Sequence, residues 1–227
     1  MKKVQYQNAE DCFIQIDEPE VYTRKKMIVL IHGGYWRQEK SLETVTSMQN
    51  WFVSKGYPVC NIEYRRGVNN PWPIPLSDVK NAIKKIKELY EAFELILIGH
   101  SVGGQLALLN AEAAQQVIAL APVTDLLYTN KHQLGDDAVG EYFGKTVDEK
   151  ELLAASPQQH LPLTTERCLI IHGSDDVRVD VKTTLNYLKK NLLNKNNIEL
   201  LVLPHMAHQD IIDPSQQHFQ YLLSWLD

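Results

Sequence analysis

Six short stretches of this chain are apolar almost end to end: residues 27–31, 58–62, 94–98, 117–121, 167–171 and 198–203. A strand with one wet face alternates apolar and polar residues, so unbroken apolar runs of this length predict strands covered on both faces. Longer amphipathic segments separate them and predict helices over 41–54, 76–93, 101–114, 180–193 and 214–226. In the fourth, Val181, Leu185, Leu188 and Leu192 recur at helical spacing and predict one apolar stripe. An earlier run, 12–16, reads as an antiparallel edge strand. The alternating order predicts the α/β class: a mainly parallel sheet with helices on both faces. Such sheets place ligands at the carboxyl ends of their strands, so the residues just after each run carry the functional reading.

Length and charge narrow the options. At ~150 residues per domain the 227 residues make about 1.5 domains, and α/β domains reach this size alone. We expect a single domain over 1–227. The polar stretch 122–166, with Gly135, Gly140 and Gly144, would be a short cap-like excursion over the strand ends. Apolar residues at 44% and charged residues at 22% exclude a disordered chain. The net charge of −5 lacks the basic footprint of a nucleic-acid binder. The one basic cluster, Lys80, Lys84, Lys85 and Lys87, reads as a solvated helix face. Three cysteines, Cys12, Cys60 and Cys168, sit among apolar residues and predict buried free thiols in a reducing compartment. The N-terminus carries no signal-peptide pattern, and no apolar run nears the ~20 residues that span a membrane. The expectation is a cytoplasmic protein that engages neither membrane nor nucleic acid, with its oligomeric state open.

Four strand ends carry chemistry. Run 94–98 leads into Gly99-His100-Ser101-Val102-Gly103, a G-x-S-x-G pattern between strand and helix. A serine on so sharp a turn takes strained dihedrals, and flanking glycines leave room for the close approach. Run 27–31 leads into His32-Gly33-Gly34-Tyr35-Trp36, where glycines let backbone N–H groups face a developing oxyanion. Gly34 and Tyr35, with Val102, are the expected donors. A serine hydroxyl needs a base and an orienting acid. Run 167–171 is followed by two carboxylates, Asp175 and Asp176. Run 198–203 is followed by His205 and His208. A histidine there completes the chain order Ser…Asp…His. His205 and His208 also form an H-x-x-H pair beside Asp210. Without a third strong ligand that spacing is set aside, and neither metal nor organic cofactor is expected. His32, His100 and His172 each flank a strand-end glycine and are expected to hydrogen-bond locally.

These features, in this order, resemble the α/β-hydrolase superfamily over nearly the whole chain. Within it, His32-Gly33-Gly34-Tyr35-Trp36 is similar to the loop of the kynurenine formamidase (arylformamidase) branch and its hormone-sensitive-lipase-like esterase relatives. Tyr35 stands where the esterase loop has a third glycine, which suits the formamidase version. Ile62-Glu63-Tyr64-Arg65, Trp72-Pro73 and Leu76-Ser77-Asp78-Val79 resemble further segments of that branch. His172-Gly173-x-x-Asp176 resembles its acid loop and His208-Gln209-Asp210-Ile211-Ile212 its histidine segment. The resemblance implies Asp176 rather than Asp175, and His208 rather than His205.

The implied function is a serine hydrolase that cleaves a small carboxylic ester or N-formyl aryl amide through an acyl-enzyme on Ser101. Tyr35, Trp36 and Trp72 are candidates for an aromatic substrate pocket. A carbohydrate deacetylase, lactonase or small peptidase would use the same triad. A non-catalytic binding module on this scaffold is the alternative from another class.

Overall fold

The computed structural model describes residues 1–194 and 197–226, in which the apolar runs pair into one eight-stranded sheet. The chain runs β1 (Lys2–Gln5), β2 (Phe13–Asp17), β3 (Lys26–Ile31), α1 (Thr46–Ser54), β4 (Val59–Glu63) and α2 (Ile74–Leu89). It continues through β5 (Glu94–His100), α3 (Val102–Leu109), β6 (Gln116–Leu120), α4 (Leu126–Lys131), α5 (Leu134–Phe143) and α6 (Glu149–Ala155). It ends with β7 (Arg167–Gly173), α7 (Val181–Leu193), β8 (Ile198–Leu203) and α8 (His218–Leu226). The spatial order is β1-β2-β4-β3-β5-β6-β7-β8. β1 pairs antiparallel with β2, and β2 with β4; every later pairing is parallel.

The pleat explains the apolar runs. Met27, Val29 and Ile31 of β3 and Leu95 and Leu97 of β5 point into the layer beneath α2 and α3. Ile28 and Leu30, with Ile96 and Ile98, point to the opposite layer, closed by Met48 and Phe52 of α1 and Phe219 and Leu222 of α8. Both sides of each strand are dry, so both residue parities must be apolar. Each such side chain contributes roughly 1.5–3 kcal/mol of burial. The lysines of α2 lie opposite its buried Val79, Ala82, Ile83 and Ile86, as a solvated face requires. The three cysteines are buried free thiols. Burial pushes the Cys60 and Cys168 thiols well above their ordinary range and leaves them inert.

Two expectations need correction. The run at 12–16 is antiparallel but not an edge, because β1 lies outside it. Lys2-Lys3-Val4-Gln5 has no apolar run to announce a strand. Its residues are largely solvated, and lysines suit an edge that must not recruit another chain. On α7 the buried face is Thr183, Thr184, Tyr187 and Asn191, while Leu185 and Leu192 are exposed. The helix is turned by what lies beneath it: Thr184 is hydrogen-bonded to His172 under the acid loop.

Candidate active site

Ser101 stands between β5 and α3 at φ 56° and ψ −117°, a left-handed conformation that costs an L-residue of order 1–3 kcal/mol. The flanking glycines make it possible. A Cβ on Gly99 would lie 2.1 Å from Gly103 O, and one on Gly103 would lie 2.0 Å from Ile31 O. The turn is pinned by Ser101 N–H to Leu120 O at 2.9 Å and Val123 N–H to Ser101 O at 3.2 Å. The Ser101 hydroxyl makes no hydrogen bond among the described residues. Val102, the first residue of α3, puts its N–H at the positive end of the helix beside that hydroxyl.

The loop after β3 is equally constrained. Gly34, Tyr35 and Trp36 have φ of 118°, 49° and 56°. A Cβ on Gly33 would meet His100 O at 2.7 Å, so this loop lies against the serine turn. The Tyr35 hydroxyl donates to Arg178 O at 2.5 Å and ties the loop to the segment after β7.

Asp176 and His208 lie on the two loops that Gly173 allows to touch, since a Cβ there would meet Met206 O at 2.0 Å. One carboxylate oxygen of Asp176 accepts the N–H groups of Arg178 and Val179, both at 2.9 Å. The other accepts from His208 Nδ1 at 2.6 Å. That bond places the proton on Nδ1 and leaves Nε2 as the basic nitrogen. Burial pushes the Asp176 pKa up, but hydrogen bonds from His172 and His208 outweigh it and hold the carboxyl well below the usual carboxylate range. The neighbouring pair is built differently: Asp175 and His205 face solvent 3.6 Å apart, and Asp175 accepts from Ser174.

Ser101, His208, Gly34 and Tyr35 open onto one cavity of about 630 Å³, within the range of small-molecule sites. Asp176 stands behind His208. Trp36 and Trp72, expected in a substrate pocket, do not line it. Trp36 is buried and stacks on Tyr142, with Phe143 against its edge. Trp72 packs on Phe143. These indoles anchor α5 of the 122–166 stretch to the core. The wall contains charged residues that the sequence reading did not single out: Arg37, Glu39, Lys40, Asp136 and Arg178. Sequence position carried little signal for Asp136 and Arg178, which reach the cavity from α5 and from the segment after β7.

His172 and His100 do more than bond locally. His172 Nδ1 accepts from Thr184 Oγ1 at 2.8 Å, and its Nε2 donates to Val179 O at 2.9 Å, 3.3 Å from Asp176 Oδ2. His100 Nε2 donates to His208 O at 3.1 Å, and the two rings lie 4.6 Å apart. Burial, with the charge of His208 beside it, lowers the His100 pKa to about 3. An unfolded histidine titrates near 6.5, so the unfolded chain takes up a proton that the folded one refuses. The stability His100 contributes is complete above pH ~6.5 and is lost as pH falls toward 3. Between pH 7.5 and 5 the wild type should lose about 2 kcal/mol more than His100→Gln, read from urea unfolding at both values. Equal losses would show that His100 is charged in the fold.

Known proteins resemble this chain in sequence and in fold. The BD-FAE family matches residues 14–192, most of the chain. This chain belongs to the BD-FAE family. Kynurenine formamidase of Scheffersomyces stipitis is 32% identical over 88 residues, which are 37% of this chain and 33% of that protein. The acetyl ester-xyloside bifunctional hydrolase of Caldicellulosiruptor lactoaceticus superposes with a TM-score of 0.83 at 16% identity, covering 99% of this chain and 93% of that one. Thermogutta terrifontis esterase 2, solved phosphonylated by sarin, has a TM-score of 0.78 at 18% identity over 97% of this chain and 94% of its own. The BD-FAE chain therefore has the α/β-hydrolase fold, as the strand-end motifs implied. Among its described residues no helix is long and apolar enough to cross a membrane.

Proposed function

We propose that this chain is a serine hydrolase acting on small carboxylic esters or N-formyl aryl amides, with Ser101 as nucleophile, His208 as base and Asp176 as orienting acid. The observation that carries the reading is the buried Asp176–His208 bond facing the same cavity as a strained serine whose hydroxyl has no hydrogen-bond partner among the described residues. Ser101 Oγ attacks the carbonyl as His208 Nε2 takes its proton. The N–H groups of Gly34, Tyr35 and Val102 receive the oxyanion, and Asp176 stabilises the imidazolium. His208 then protonates the leaving group, and water cleaves the acyl-enzyme. This chemistry calls for no metal or organic cofactor. The sarin-phosphonylated esterase of the same fold supports the serine assignment, and the formamidase match supports the formamide. The same proposal takes 1–227 as one domain with 122–166 as a short cap-like excursion, acting in the cytoplasm on a small molecule.

A fluorophosphonate probe is expected to label wild-type protein at Ser101, mapped by peptide mass spectrometry, and to leave His208→Ala nearly unlabelled. A folded wild type that takes no label would favour the non-catalytic binding module.

A second reading, an acetylated carbohydrate substrate, is favoured by the cavity wall. Arg37, Lys40, Thr44, Asp136 and Arg178 offer many polar groups, and neither indole expected to receive an aryl group lines the cavity: Trp36 is buried and Trp72 packs on Phe143. Steady-state comparison of N-formylkynurenine, short p-nitrophenyl esters and acetylated xylo-oligosaccharides separates the two. A hundredfold advantage in kcat/KM, about 2.7 kcal/mol of transition-state preference, identifies the substrate class.

A further inference from the structure

Beneath the cavity lies a buried charge cluster that the chemistry above does not use. His32, directly after β3, is fully buried. Its Nδ1 is 2.8 Å from Gly33 O, and its Nε2 is 3.1 Å from Glu63 Oε1. A carbonyl and a carboxylate only accept, so both ring nitrogens must donate. Glu63, at the end of β4, accepts hydrogen bonds on both oxygens, as suits an ionised carboxylate. Its Oε1 also accepts from Arg66 Nη1 and from Tyr64 N–H at 3.3 Å, and its Oε2 accepts from Leu42 N–H at 3.1 Å. Burial pushes the Glu63 pKa up, but the hydrogen bond and charge of His32 and the charge of Arg66 hold it below the usual range. Tyr64 closes the other side. Its ring stacks on His32 at 4.3 Å and 17°, as suits a cation on an aromatic face, and its hydroxyl donates to His32 O at 2.8 Å.

The consequence lies in one peptide plane. In a trans peptide the C=O and the following N–H point in opposite directions. The Gly33 carbonyl is turned down onto His32, so the Gly34 N–H is turned away from it. Gly33 and Gly34 line the cavity, whereas His32 does not.

We propose that His32 is a buried imidazolium, kept charged by Glu63, and that the pair are positioning residues that aim and polarise the Gly33–Gly34 peptide so that its N–H meets the oxyanion. The proposal rests on the hydrolase reading above. Arg66 fixes Glu63 from the far side, and Tyr64 keeps the ring in plane.

Two measurements test it. Long-range ¹H–¹⁵N correlation on ¹⁵N-histidine protein at pH 7.5, with His32 assigned by its loss in His32→Asn, is expected to show both ring nitrogens protonated. In Glu63→Gln the same ring should be neutral. That variant should turn over a p-nitrophenyl ester with kcat lowered about 10- to 100-fold, since one oxyanion donor is misaimed rather than removed, and with KM within about threefold. Glu63→Asp should recover part of the loss. A neutral His32 ring in folded wild type overturns the proposal, even if Glu63→Gln fails to fold. A Glu63→Gln variant with wild-type kcat, or with its loss confined to KM, overturns it too. Failure of the hydrolase reading looks different: the wild type would turn over no ester while its His32 ring stayed doubly protonated.

Discussion

Ser101→Ala is expected to lower kcat by about 10⁴- to 10⁶-fold while the protein folds as before. The size follows from the proposed role: without Oγ no acyl-enzyme would form, and what would remain is stabilisation by the proposed oxyanion donors alone. The neutrality of the change follows from geometry. The hydroxyl makes no hydrogen bond among the described residues, so its removal strands no buried partner. Alanine keeps the same Cβ at the same strained φ, and the backbone bonds to Leu120 and Val123 do not involve the side chain. Initial rates on p-nitrophenyl acetate, alongside Tm within about 2 °C of wild type, check both halves. A folded variant with near-wild-type turnover would remove Ser101 from the mechanism.

Asp176→Asn should lower kcat by about 10⁴-fold, and Asp175→Asn should change it little. The shape of the side chain survives the first substitution, and its carbonyl oxygen can still accept from Arg178 and Val179. The amide nitrogen then faces His208 Nδ1, where the carboxylate oxygen was. Two donors cannot share that contact, so the imidazole moves its proton to Nε2 and loses the lone pair needed to receive the serine proton. The imidazolium that forms during attack also loses its counter-charge. Asp175 touches Ser174 and the exposed His205, neither of which reaches the cavity. Parallel kcat measurements on the two variants are decisive, because the reverse pattern would assign the acid to Asp175.

These two expectations draw on motifs of unequal legibility. The glycines of the Ser101 turn were readable because the steric demand is local: Gly99 and Gly103 are missing a Cβ that would strike backbone within a few residues or on the adjoining strand. The choice between Asp175 and Asp176 was not local. Residue spacing allowed either, family resemblance pointed to one, and burial separates them only once β7 and β8 lie side by side. The segments Ile62-Glu63-Tyr64-Arg65 and Leu76-Ser77-Asp78-Val79 looked like separate motifs. The structure joins them, with Arg65 Nε and Nη2 donating to Asp78 at 2.9 and 2.7 Å.

Apolar content misled where direction mattered. Trp36 and Trp72 are as apolar as a substrate pocket would need, yet they pack with Tyr142 and Phe143. The leucines of α7 form a stripe in sequence, yet the helix buries Thr184 and Tyr187 instead. Hydrophobicity states that a side chain gains by leaving water; it does not say which neighbour it leaves water for.

By itself the chain determined its class of fold and which candidate residues stand at its strand ends. Strands dry on both faces must be apolar throughout, and a serine on a strained turn must have small neighbours, so both demands are written in consecutive residues. Only the tertiary structure decided which carboxylate is buried against His208, which aromatic rings meet the cavity, and that His32 lies between a carbonyl and a carboxylate. Those outcomes depend on groups from distant segments meeting in one low-dielectric place. Charge, proton position and facing are properties of that meeting rather than of any residue in it.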